Sequence, residues 1–307
     1  MASANPAFNN PAFQDPRAVK TYPGGPQAAN LGGPTQYAST ANAGVDAAAN
    51  ARLEGAYAAP PAGAIDTGRM TVEDTVLKTL ALFAIMLVAA VGGWVWTMAP
   101  VTVANPQPTL LPWIIGIVGS LILGIVANVQ AMRNKIRPAL YFGYAVFEGL
   151  FVGGISAYFE FIWPGIVVQA TLATLAVVGV TLALFASGKV RASKRATKVF
   201  MIAMIGYLVF GLINIGLMIF NVPIAGGAFG LYSYQLFGWL PLGLVIGVFV
   251  VIMAAYSLVL NFDFVQQGVR NGLARPWGWY AGYGIMVTVV WLYIEILRIL
   301  AILRGNN

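Results

Sequence analysis

Seven apolar stretches of bilayer length, joined by short loops, constrain this chain more than any other feature of its sequence. They cover residues 76–98, 110–130, 138–159, 164–186, 199–220, 237–260 and 280–303. A helix of about 20 residues crosses a hydrocarbon core of roughly 30 Å. Inside lipid the backbone polar groups of a spanning segment have only one another as partners. Alternating barrel patterning is absent, so each stretch is predicted to be an α-helix. The rest of the composition agrees: 59% of the 307 residues are hydrophobic and 9% are charged, against about 25% charged in an ordinary soluble domain. The expected fold class is an all-α polytopic membrane protein with seven transmembrane helices.

Residues 1–69 read differently. They are rich in Ala, Gly, Pro, Asn and Gln and show no hydrophobic periodicity. A segment of this kind cannot bury enough apolar surface to offset its ordering entropy, so it is expected to be a disordered tail ahead of a membrane domain at 70–307. It lacks the apolar core and cleavage site of a signal peptide. A near repeat opens it, Asn5-Pro6-Ala7-Phe8 and Asn10-Pro11-Ala12-Phe13. The repeat is either part of a solvated tail or a pair of short motifs for a membrane protease or stress partner.

Charge sets the expected orientation. Lys and Arg concentrate in cytoplasmic loops. Arg133, Lys135 and Arg137 follow the second stretch; Lys189, Arg191, Lys194, Arg195 and Lys198 follow the fourth; Arg270 and Arg275 follow the sixth. The alternate loops, 99–109, 160–163 and 221–236, hold no basic residue. The basic loops share a side with the tail, which places the N-terminus in the cytoplasm, the C-terminus outside and the protein in the cell membrane. The overall charge of +7 is therefore a topology signal, and nucleic acid is not an expected partner.

Cysteine and histidine are absent. Disulfides, Cys/His metal or haem sites, thiol nucleophiles and histidine triads are excluded with them. No nucleophile–base pair or phosphate loop replaces them, so an enzyme is not expected. Attention passes to the acids beyond residue 75, since an ionisable group within a bilayer costs about 2.5–3.5 kcal/mol on insertion scales and is functional by default. Glu148 lies in the middle of the third stretch, where it is protonated, faces water or pairs with another helix. Glu295, in the last stretch, has Arg298 one turn on, and the simplest account has Arg298 neutralise it and snorkel outward. Asp263 follows the sixth stretch at the interface, and Glu160 sits in a short outer loop where solvation is expected. Asn128, Gln130, Asn214, Ser257 and Asn261 either line a hydrated path or bond between helices. Gly149/Gly153 and Gly243/Gly247 are spaced for close helix packing.

Several segments together resemble the Bax inhibitor-1/YccA (transmembrane Bax-inhibitor motif) family, in its actinobacterial-type branch. They are Met70-Thr71-Val72-Glu73-Asp74, Phe147-Glu148-Gly149-Leu150-Phe151-Val152-Gly153, Asn261-Phe262-Asp263-Phe264-Val265 and Trp291-Leu292-Tyr293-Ile294-Glu295. The resemblance covers residues 70–303. It implies a bundle whose last helix is central, surrounded by the other six. It also implies a pH-sensitive pair of acids over a calcium-leak path, at positions matching Asp263 and Glu295, and a link to stress tolerance or to restraint of a membrane AAA protease.

The two acids stand 32 residues apart in sequence. A turn at 276–278 would leave them nearly level, whereas a turn at 268–272 would offset them by roughly 20 Å and make Glu148 the nearer neighbour of Glu295. The favoured arrangement has Asp263 at the inner mouth and Glu148 and Glu295 deeper on one route. Neighbouring carboxylates in low dielectric share a proton, and their oxygens suit calcium once it leaves. The leading expectation is therefore a pH-regulated calcium leak channel. In it Glu295→Gln abolishes the pH response, calcium is a permeant or bound ion at Asp263, Glu295 and Glu148, and no other cofactor is required. The alternative is a non-conducting membrane regulator.

Overall fold

The structure, a computed structural model, describes residues 68–103, 107–220 and 229–305. Residues 1–67 of the expected tail, with the Asn-Pro-Ala-Phe repeats, lie outside the described residues. The described residues form seven long helices: α1 (Val72–Met98), α2 (Leu111–Met132), α3 (Pro138–Ile162), α4 (Ile166–Ala186), α5 (Lys194–Ile219), α6 (Leu242–Arg270) and α7 (Trp277–Gly305). All seven are long and apolar enough to cross a membrane.

Local chemistry sets where each begins. The Thr71 hydroxyl caps α1 by accepting the Asp74 N–H at 3.1 Å, and Glu73 and Asp74 place negative charge on its first turn, where the helix dipole favours it. Proline opens α2 and α3 at Pro112 and Pro138, where a missing N–H costs nothing. Ser193 caps α5 by accepting the Ala196 N–H at 3.2 Å. That cap starts the helix at Lys194, five residues before the apolar run, so part of the expected basic loop is helix.

Two other boundaries differ from expectation. The sixth helix begins at Leu242 because Gln235–Leu236 pairs antiparallel with Leu240–Pro241 across a turn in which Phe237 and Gly238 both have positive φ, 56° and 78°. It then runs ten residues past the expected end at Leu260, to Arg270. Polar Asn261, Asp263, Gln266 and Gln267 mark the end of the apolar run but do not stop the helix, which ends at Asn271 and Gly272 (φ 64°). Glu160 also departs from its expected solvated place in a loop. It lies in the last turn of α3, and its carboxylate accepts the N–H groups of Gly165 at 2.5 Å and Val167 at 3.0 Å. An acid there satisfies orphan donors at the start of α4.

The last helix is the core element. Half of its most apolar window is buried, and it packs chiefly on α6, α1, α4 and α3. Helices α2 and α5 reach it through side chains, so all six surround it, four of them closely. Glycines let α1, α2 and α3 approach closely. A Cβ on Gly153 would strike the Ala90 backbone of α1, and one on Gly154 would lie 2.8 Å from the Trp113 backbone nitrogen of α2. Gly243 and Gly247 do the same for α6, against Ile302 and Ile299 of α7. Polar side chains add specific ties. Asn261 Nδ2 donates to Gly284 O at 3.2 Å and to Thr288 Oγ1 at 2.9 Å, and the hydroxyls of Ser156 and Tyr293 meet at 2.6 Å.

Candidate functional site

Two carboxylates are buried in the bundle, and their surroundings differ. Glu148 is 6% exposed. It lies one turn after Tyr144 on its own helix and beside Ser120 of α2, whose hydroxyl donates to the Ile117 carbonyl at 3.3 Å. Tyr283 of α7 faces it as well. Among the described residues Glu148 joins no ion pair. Such a carboxyl needs a proton or an arriving cation to neutralise it.

A row of polar groups leads from Glu148 to the end of the bundle that carries the basic loops. The rings of Tyr144 and Tyr283 meet edge to face with centroids 4.7 Å apart. Asn128 Nδ2 donates to Tyr283 Oη at 3.2 Å, and Tyr280 Oη donates to Asn128 Oδ1 at 3.2 Å. Asn128 is exposed and Tyr280 half-buried, so the row ends at the surface. The sequence signal for it was two tyrosine pairs three residues apart, Tyr141/Tyr144 and Tyr280/Tyr283. Three-residue spacing puts both members of each pair on one helix face.

Glu295, 3% exposed, is already neutralised. It forms an ion pair with Arg298, as the one-turn spacing predicts, and accepts a hydrogen bond from Tyr207 Oη of α5 at 3.0 Å. Arg298 does not snorkel outward. Its side chain is 14% exposed, and the guanidinium lies 3.8 Å from the centroid of the Tyr232 ring. Desolvation strengthens such a cation–π contact.

The structure does not bring the three predicted acids together. Tyr283, beside Glu148, precedes Glu295 by twelve residues on α7, a rise of about 18 Å. Asp263 sits two turns before the end of α6, where it accepts from Gln267 Nε2 at 2.5 Å and lines a shallow pocket with Lys194, Thr197 and Lys198. The α6–α7 turn falls at residues 271–276, which offsets Asp263 from Glu295 by about 16 Å along their helices. The favoured closeness of Glu148 and Glu295, and with it a shared proton between them, is not found: the two lie at different depths of the bundle. No group of three Asp or Glu side chains among the described residues could hold a metal ion, so a calcium site built jointly from Asp263, Glu295 and Glu148 does not form in this arrangement.

A third charged cluster had no forecast. Lys78 of α1, 8% exposed, pairs with Asp74 and donates to the Arg275 carbonyl at 2.7 Å. Arg275 Nη2 reaches Asp74 Oδ1 at 3.0 Å. Beside it the chain entering α1 bonds to the turn entering α7, with Met70 N–H donating to Leu273 O and Arg275 N–H donating to Gly68 O, each at 2.8 Å.

These features define a class: a multi-pass α-helical membrane protein with acids buried inside its bundle. The Bax inhibitor 1 like family model matches residues 5–305. The chain belongs to that family. Searches of curated proteins and of solved structures return no match.

Proposed function

We propose that this protein is a proton-regulated cation (calcium) leak path of the cell membrane, with its basic loops in the cytoplasm and Glu148 as the sensing group. The observation that carries the reading is a carboxyl buried beside tyrosines, with no cation paired to it among the described residues, and a polar row that leads to the end bearing the basic loops. Protonated, Glu148 is a neutral member of the bundle. Ionised, it places an uncompensated charge among α2, α3 and α7, which repels close packing or recruits a cation. Tyr144 on its own helix and Tyr283 on α7 are the titratable groups facing it. Glu295, held by Arg298, acts as a fixed element of the opposite half, and Asp263 stands at the cytoplasmic mouth.

Calcium flux into proteoliposomes across pH tests this. Wild-type flux is expected to fall as pH is lowered, and Glu148→Gln to give a flat profile. An unchanged profile in Glu148→Gln removes the sensor role. A second reading, a non-conducting regulator, draws support from the backbone bridge between Arg69 and Ala274, which ties the tail junction to the turn before the central helix. Deletion of residues 1–67 separates the two, sparing flux in the first case and abolishing function in the second.

A further inference from the structure

Helices α5 and α6 meet, at the end bearing the basic loops, around a shallow groove of about 490 Å³. The sequence grades each wall from polar to apolar. On α5, Lys194, Lys198 and Met201 stand at i, i+4 and i+7, one face of a helix. On α6, Gln267, Asp263 and Leu260 repeat the gradient in the antiparallel sense, and all six line the groove. From Lys194 to Met201 the helix rises about 10 Å, more than the polar headgroup layer of a leaflet, which is roughly 5–8 Å deep. The charged rim therefore falls among headgroups, and the end at Met201 and Leu260 falls among acyl chains.

Two ties fix the groove before anything enters it. Arg191 donates to Gln266 Oε1 of α6 at 2.8 Å and lies 4.7 Å from the Phe185 ring centroid, and the hydroxyls of Thr197 and Tyr256 meet at 3.0 Å. The two lysines are exposed and join no ion pair among the described residues. No acid occurs at residues 187–262 to neutralise them, and Asp263, across the groove, accepts from Gln267. Two ammoniums against one carboxylate leave one positive charge in excess. Topology alone accounts for basic residues in this loop. It does not account for two of them aligned on one helix face above an apolar floor.

We propose that the groove binds one anionic phospholipid of the adjoining leaflet, a phosphatidylglycerol. Its phosphate lies between Lys194 and Lys198, its glycerol hydroxyls donate to Asp263, and an acyl chain runs past Met201 and Leu260. A phosphodiester carries the single negative charge that matches the groove's excess, and lysine binds phosphate as a point charge. Basic clusters beside a membrane span recruit anionic lipid; the graded stripes of α5 and α6 turn that attraction into one site. The inference does not depend on conduction.

Purified, delipidated full-length protein in a neutral detergent is titrated with palmitoyl-oleoyl phosphatidylglycerol, and the first binding step is read by native mass spectrometry. One lipid is expected to be retained, with phosphatidylethanolamine of the same chains weaker by about tenfold for want of net charge. Lys194→Gln with Lys198→Gln should weaken the first step by about thirtyfold, at the strength of two lysine contacts. Lys189→Gln with Arg195→Gln removes the same charge outside the groove and should weaken it by no more than about threefold. All four side chains are exposed, so folding is not at stake. Equal losses in the two double variants overturn the proposal in favour of diffuse attraction, and equal retention of phosphatidylethanolamine overturns it by removing charge selection. Displacement by sn-glycerol 3-phosphate at concentrations matching the lipid overturns it in favour of a soluble phosphate.

Discussion

The two buried glutamates make opposite demands on their surroundings, and substitution reads the difference directly. Removing Glu295 leaves the Arg298 guanidinium in an apolar interior with its counter-ion gone. Breaking one side of a buried pair costs about 3–5 kcal/mol, while replacing both sides with apolar residues is often neutral. Glu295→Gln is therefore expected to lower stability in detergent by about 3 kcal/mol, and Glu295→Met with Arg298→Leu to recover most of it, in chemical unfolding. Glu148→Gln should be near neutral or stabilising in the same assay, since an amide fills the same space without a charge to desolvate. The acids themselves were plain in the sequence, because ionisable residues inside apolar runs are scarce. Their partners were legible only where they lay on the same helix. Arg298 sits one turn from Glu295, and Tyr144 one turn from Glu148. Tyr207 and Tyr283 come from other helices, and their approach depends on helix rotation, which hydrophobic helices with weak sidedness do not encode. Asp263 was misjudged for another reason: polar residues near a membrane surface read as the end of a span although the helix continues through them.

Among the helices, packing separates α3 from α5. Helix α3 is clasped by α1 and α2 through glycines, whereas Asn214 is the only buried residue of α5. Tyr207 to Glu295, Asn214 to the 229–231 segment and Thr197 to Tyr256, whose hydroxyls meet at 3.0 Å, hold α5 in place. Gly153→Ala adds a methyl where the Ala90 backbone already lies, and overpacking of this kind costs about 1–3 kcal/mol. Gly211→Ala on α5 meets nothing within 4 Å and should leave stability unchanged or slightly raised, since Ala favours helix over Gly. Unfolding of the two variants side by side checks the contrast; equal losses would mean that α5 is packed as tightly as α3. The sequence showed that Gly149 and Gly153 share a face and suit a close contact. It did not say which helix would fill that face, because every neighbour offers similar aliphatic surface. The hairpin before α6 escaped notice for a related reason: Trp239 and Leu240 continue the apolar run even though Phe237 and Gly238 turn the backbone.

For the whole molecule, direction across the membrane decides which compartment the sensor reads. The polar row from Glu148 ends beside Tyr280 and Asn128, at the end where Arg133, Lys135 and Arg137 leave α2. If basic loops face the cytoplasm, cytoplasmic pH reaches Glu148. The natural chain has no cysteine, so single substitutions report accessibility without background. Val103, fully exposed in the first loop of the opposite end, should react as Val103→Cys with a membrane-impermeant maleimide on intact cells. Lys135→Cys and Lys189→Cys should react only after permeabilisation. The same asymmetry extends to function. In liposomes holding the protein in one orientation, acidifying the side bearing the basic loops should suppress calcium flux, and acidifying the other side should do much less. Labelling of Lys135→Cys from outside would reverse the sensing direction while leaving the bundle intact. Suppression of flux from the side opposite the basic loops would instead place proton access on the side of Glu295, against the polar row that ends at Tyr280.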